Sequence, residues 1–292
     1  MPPAGDHGGD AAAVARGLGL DPRSMLDLSM SLNPVAPDVR PLLVDHLDAA
    51  RRYPDPEEAT VALAARLAVD PERVLLTNGG AEAIALVAGH LGAVSVAEPE
   101  FSLWRRHARI EPGAPVARSN PNNPTGVLAD AGATATIWDE AFYPLATGHW
   151  TRGEGEWVVG SLTKTLACPG LRIGYVIGDV EPLRVRQPEW SVGGLACAAL
   201  PALLDLVDLD AWSRAVATLR AELVGVLRAA GLTPRPSDAP WVLVDAPLRD
   251  RLAPRGVVVR DCASFGLPGV TRIAVPDECG LDRLADALAS TA

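Results

Sequence analysis

Lysine is all but absent from this chain: of its 26 basic residues, 25 are arginine and Lys164 is the single lysine. Paired cysteines are missing as well. Cys168, Cys197, Cys262 and Cys279 are widely scattered with no CxxC spacing, which argues against a zinc cluster or a disulfide framework and fits a reducing cytoplasm. There is no excess of positive charge. With 36 acidic residues and a formal charge of -10, phosphate backbones and anionic membranes would repel the protein, so neither nucleic acid nor membrane is expected as a partner. The most apolar run, residues 83–97, is about 15 residues long and is broken by Gly89, His90 and Gly92, whereas a membrane span needs roughly 20. The opening MPPAGDHGGD shows neither the basic start nor the apolar block of a secretory signal, so a soluble protein is expected.

At 292 residues and 48% hydrophobic, the chain can bury one large core, or a core with a smaller second domain. Short apolar runs alternate with helical patterns through its middle. RVLLT leads into the glycine turn and helical run of GGAEAIALVAGHL, and AVSVAEP, ATIWDEAF, EWVVGSLTK and RIGYVIG supply further strands. This alternation predicts an α/β fold with a mostly parallel sheet covered by helices on both faces, and ligands at the carboxyl ends of its strands. After Trp190 a long helical stretch precedes short strands at WVLVD, GVVVR and VTRIAV and a final helix from about Cys279. The reading is a large domain over residues 41–200 and a small α+β domain from residues 1–40 and 201–292.

The polar residues that follow the strands carry the chemistry. A lysine among small and apolar neighbours has its charged form disfavoured, so Lys164 can attack a carbonyl as a free amine. Ser161, Thr163 and Arg172 flank it and make a dianion site. Gly80 and Ala81 open a helix, where backbone N–H groups and the helix dipole favour an anion. SNPNNPTG is turn-rich, and its asparagines can donate side-chain hydrogens. Asp139 ends an apolar strand, where a carboxylate is costly without a partner. Arg260 and Arg272 sit in strand patterns, and either guanidinium could hold a carboxylate. His46, His90, His107 and His149 show no ligand spacing and are assigned structural or surface roles.

In this order NGGAEA, NPNNPTG, WDEAF, SLTKTLACPGLRIGY and VTRIAV resemble the fold-type-I pyridoxal-phosphate (PLP) enzymes of the class I/II aminotransferase superfamily. The resemblance covers nearly the whole chain and is greatest to the branch of histidinol-phosphate aminotransferase and L-threonine-O-3-phosphate decarboxylase of cobalamin biosynthesis. It implies a PLP cofactor carried by Lys164, which later moves protons at the substrate carbons. It further implies Asp139 at the pyridinium nitrogen, Asn123 at the phenolic oxygen and Phe101 stacked on the ring. Gly80, Ala81, Ser161, Thr163 and Arg172 would hold the cofactor phosphate, and Arg272 the substrate carboxylate. Tyr53, in RRYPDP, matches a tyrosine that reaches the neighbouring subunit's phosphate, implying a homodimer. Arg260, Asn33 and His7 are candidates for contacting a substrate phosphate or orienting its carboxylate.

Three features are similar to the decarboxylases: the HGGD start with DLSMSLNP, Phe142 where aminotransferases carry tyrosine, and VRDCASFGLPG. The expected reaction is decarboxylation of threonine phosphate to (R)-1-amino-2-propanol O-2-phosphate. An aminotransferase of the histidinol-phosphate type and a non-catalytic PLP-binding homologue are the competing readings. The second of these arises because 18 residues separate Phe101 from Asn120 and 12 separate Gly126 from Asp139, both shorter than the family's usual segments.

Overall fold

A computed structural model describes Pro3, Gly5 and residues 7–290. Its strands in chain order are β1 (Leu26–Leu28), β2 (Val74–Asn78), β3 (Ala93–Val94), β4 (Arg109–Ile110), β5 (Ala117–Ser119) and β6 (Ile137–Asp139). They continue with β7 (Trp157–Gly160), β8 (Ile173–Ile177), β9 (Trp241–Val244), β10 (Val257–Asp261) and β11 (Thr271–Ala274).

The larger sheet has the order β2-β8-β7-β6-β5. β5, β6 and β7 are parallel, while β8 runs antiparallel to both β7 and β2. Four of the five strands therefore share one direction, and the exception matters for function. The chain turns back from β7 into β8 through residues 161–172, a connection on the short side for a crossover between parallel strands. That turn carries the helix Leu162–Thr165, and so it holds Lys164 at the carboxyl end of β7.

The central strands β7 and β8 and the first three residues of β2 are almost wholly apolar because both sheet faces are covered there. On one face Val74, Leu76, Val158, Ile173 and Tyr175 pack against the helices Glu57–Leu67 and Gly194–Asp205. On the other, Leu75, Val159 and Val176 pack against Ile84, Val87 and Trp104 of the helices Gly79–Leu91 and Leu103–His107. The alternation follows the two-residue period of a strand. Each such Leu or Val contributes about 1.5–3 kcal/mol by burial.

A second sheet, β1-β10-β11-β9, pairs β1 from near the N-terminus in parallel with β10 near the C-terminus. Its core gathers Leu219, Leu223 and Leu227 of the helix Leu209–Ala229 with Leu281, Leu284 and Leu288 of the helix Glu278–Ala289. The helix Leu209–Ala229 joins the two cores, since its first turns place Leu209 and Trp212 against the larger sheet. Between parallel β5 and β6 the chain crosses without any helix, and the helix Leu103–His107 has only five residues. These short stretches coincide with the two short spacings in the sequence.

Candidate active site

Three segments meet at the carboxyl ends of β2 and β7 because glycine lets them. A Cβ on Gly174 of β8 would lie 2.4 Å from the carbonyl carbon of Gly79. Gly79 itself has φ of 76° and sits against the Arg172 guanidinium, where a Cβ would come within 2.3 Å of Nη2. Close approach at these two positions brings the start of the helix Gly79–Leu91 onto Ser161 and Arg172, leaving its first N–H groups to face an anion. Arg172 is held by the carbonyls of Asn78 and Pro169, each at 3.4 Å, and Thr163 donates to the Ile173 carbonyl at 3.3 Å.

Beside this cradle opens a cavity of about 520 Å³. Gly80, Ala81, Phe101, Asn123, Asp139, Ser161, Thr163, Lys164, Arg172, Arg260, Arg272 and His7 all line it. Burial pushes the Lys164 amine down to about 8, reinforced by Arg272 and Arg172 and opposed by Asp139. The amine lies 5.7 Å from the centre of the Phe142 ring, which is itself buried edge-on against Trp241. Burial pushes the Asp139 carboxyl up to about 6, against the pull of the Ala141 N–H and Lys164. No arginine is ion-paired to it among the described residues.

Arg272 is pinned over the rings of Trp241 and Phe265, and its Nη1 donates to Asn123 Oδ1 at 2.7 Å. Burial lowers it to about 10. Arg260 donates to the Gly5 carbonyl and to Ser264 Oγ, both at 2.7 Å. The two arginines are directly opposed in the β10–β11 register. His7 stands edge-on to Phe101, with ring centres 6.1 Å apart.

Two of the residues singled out in the sequence lie elsewhere. Asn33 is buried and does not line the cavity; its Nδ2 donates to the Thr165 carbonyl and its N–H to the Lys164 carbonyl, so it braces the lysine helix. Its amide is committed to backbone, which corrects its assignment as a substrate contact. Tyr53 is 77% exposed, outside its own chain's cavity, and packs on Trp190 at 4.5 Å. His107, assigned a structural or surface role from the sequence, lines the cavity together with Arg106. Ser31 was not singled out, yet it lines the cavity and is 2% exposed, and its hydroxyl has no partner among the described residues. The signal available for it was the polar pattern of DLSMSLNP.

No group of three or more potential metal ligands occurs among the described residues, and no helix there is long and apolar enough to cross a membrane. The chain is 29% identical to threonine-phosphate decarboxylase of Salmonella typhimurium, over 97% of this chain and 95% of that protein. It is also 29% identical to histidinol-phosphate aminotransferase 2 of Pseudomonas aeruginosa, over 94% and 91%. Among solved structures, histidinol-phosphate aminotransferase of Sinorhizobium meliloti in complex with pyridoxal-5'-phosphate superposes with a TM-score of 0.83. That match is 20% identical, covers 100% of this chain and 95% of that one, and shows a shared fold. The family model for aminotransferase class I and II matches residues 105–288, well over half of the sequence, and the chain belongs to that family.

Proposed function

We propose that this protein is a PLP-dependent decarboxylase of a phosphorylated amino acid, most specifically L-threonine O-3-phosphate. The observation that carries the substrate class is the pair Arg260 and Arg272, opposed on neighbouring strands and both facing the cavity that holds Lys164. One guanidinium suffices for an amino-acid carboxylate. A second, joined by His7 and by the Ser31 hydroxyl, which has no hydrogen-bond partner among the described residues, suits a substrate with a further anionic group.

The donor set fits PLP. Lys164 supplies an amine poised near neutrality for an aldehyde, and Arg172 with the glycine-opened helix supplies an anion cradle. Asp139 supplies a buried carboxyl suited to a protonated ring nitrogen, and Phe101 an apolar face. When bound, PLP supplies an electron sink for the pair released as a bond at the substrate Cα breaks. Lys164 then holds or delivers a proton at its Nζ, and Arg272 orients the carboxylate from a rotamer fixed by two rings. Asn123 is braced by Arg272 and keeps its Nδ2 for a ligand oxygen.

The buried Phe142 ring favours decarboxylation over transamination, because it gives the region around Lys164 an apolar wall where aminotransferases of this family carry a hydroxyl. Incubation with threonine phosphate should release carbon dioxide in step with substrate loss. Formation of the 2-oxo product without carbon dioxide would assign the chain to the aminotransferases instead. A homodimer belongs to the same reading: Tyr53 and Trp190 form an exposed aromatic stack that suits a partner copy whose cavity Tyr53 would complete.

A further inference from the structure

Glu100 is a buried carboxyl that none of these roles uses. It is 2% exposed and immediately precedes Phe101. Its Oε1 accepts from the Phe101 N–H at 2.7 Å and from the Ser119 hydroxyl, and its Oε2 accepts from the Ser119 N–H at 2.9 Å. Ser119 ends β5 beside Asp139 in register and lines the cavity. Its Oγ also accepts from the Asn123 N–H at 3.0 Å.

A hydroxyl has one proton and two lone pairs, so these contacts limit what Ser119 can offer a ligand. With Glu100 ionised, the Ser119 proton is committed to Glu100 and one lone pair to Asn123. What remains for the cavity is an acceptor. With Glu100 protonated, the carboxyl donates to Oγ instead, both lone pairs are filled, and the hydroxyl proton turns outward as a donor.

We propose that Glu100 is a positioning residue that acts through Ser119 to set whether the cavity wall beside Asp139 offers a bound ring a hydrogen-bond donor or an acceptor. The transfer is balanced, since one proton moves onto Glu100 from solvent and the Ser119 hydroxyl reorients without net change. Burial pushes the Glu100 carboxyl up to about 7, opposed by its hydrogen bonds and assisted by the charge of Asp139 on β6. On its own segment Glu98 accepts the Glu100 N–H, and on β5 the Arg118 guanidinium lies over Trp138. Glu98 is itself ion-paired with Arg105, so Asp139 is the charge that acts on Glu100, and the switch falls near neutral pH.

The inference rests on a PLP ring occupying the cavity, so the test has one arm that needs no cofactor. Infrared difference spectra of cofactor-free wild type should lose a protonated-carboxyl band as pH rises through about 7. Glu100→Gln should remove part of that band, leaving the contributions of Glu140, which burial also raises to about 7, and of Asp139, raised to about 6. Ser119→Ala should shift the Glu100 part. With PLP bound and fixed to Lys164 by borohydride as a control for the cofactor reading, wild-type ring absorbance should titrate near the same pH. Both Glu100→Gln and Ser119→Ala should abolish that step while keeping the Lys164 label. A step that survives in Ser119→Ala, or a wild-type band indifferent to Glu100→Gln, would overturn the proposal. Failure to label Lys164 would instead sink the cofactor reading.

Discussion

Arg260 and Arg272 face one another across the β10–β11 register, two guanidinium side chains at a position where like charges destabilise a sheet. Arg260 donates to the Gly5 carbonyl and Ser264, and Arg272 donates to Asn123 while lying over two aromatic rings, and both side chains line the cavity. An anion between them would be attracted by both guanidinium groups. Inorganic phosphate should therefore raise the melting temperature of wild type more than that of Arg260→Gln. The variant should also raise KM for threonine phosphate tenfold or more, about 1.4 kcal/mol, with a smaller effect on an unphosphorylated amino acid. Equal losses on both substrates would remove Arg260 from phosphate recognition.

Lys164 gives a sharper test because the chain has no other lysine. Borohydride treatment with PLP should leave one pyridoxyl label on a lysine side chain, and Lys164→Arg should abolish both label and turnover. Stability follows a definite sign. The folded-state value of about 8 lies below the ordinary 10.5, so between these the unfolded chain binds more protons and stability rises with pH. Lys164→Met should be the more stable protein below about 8, with its advantage vanishing by about 10.5, as read by denaturant melts across that range.

Asp139 behaves oppositely. Burial raises its carboxyl from 3.8 to about 6, so through that window the folded state keeps a proton the unfolded state has lost, and stability falls as pH rises. Asp139→Asn should stabilise the cofactor-free protein at neutral pH, by an amount on the order of 2–3 kcal/mol at about 1.4 kcal/mol per unit. The same change should weaken PLP binding, because the ring nitrogen loses its anionic partner. A variant that is both less stable and as tight for PLP would refute this role.

Much of the site was legible because its members sit in contiguous motifs. Lys164, Arg172, Ser161 and Thr163 share one turn, Asp139 ends β6, Arg272 lies within β11, and Asn123 sits in the turn that follows β5, all opening on the cavity. What escaped depends on contacts between distant segments. Glu100 and Ser119 are 19 residues apart and meet only because β5 runs beside the Phe101 segment. Arg106 and His107 line the cavity from the last turn of a five-residue helix. Asn33 carries the right chemistry for a ligand, but its amide is taken by the Thr165 carbonyl, a pairing across 132 positions that no local pattern announces. The reversed direction of β8 was hidden for the same reason, since an apolar run does not show which way it points.

The glycine contact between β8 and the helix Gly79–Leu91 should be intolerant of a single methyl group. In Gly174→Ala the new Cβ would meet backbone atoms of Gly79 and Gly80 at 2.4 and 2.5 Å, so backbone must move. Overpacking of this kind costs about 1–3 kcal/mol. The displaced helix start carries the anion-facing N–H groups, so PLP affinity should fall more than denaturant stability does. Gly89→Ala, where a Cβ meets nothing within 4 Å, is the control and should be neutral or stabilising.

The exposed Tyr53–Trp190 stack yields a test of shared sites. If Tyr53 completes the partner's cavity, Lys164→Ala and Tyr53→Ala proteins are each impaired for different reasons in different subunits. A mixed dimer places both defects in one cavity and leaves the other intact. With random exchange, half the dimers are mixed and half of their cavities are whole, so activity should recover to roughly a quarter of wild type. Recovery requires subunit exchange, which refolding the two proteins together supplies. Mixtures that never exceed the sum of the separate activities would show that each chain builds its site alone, and Tyr53 would then be a surface aromatic with no part in the chemistry.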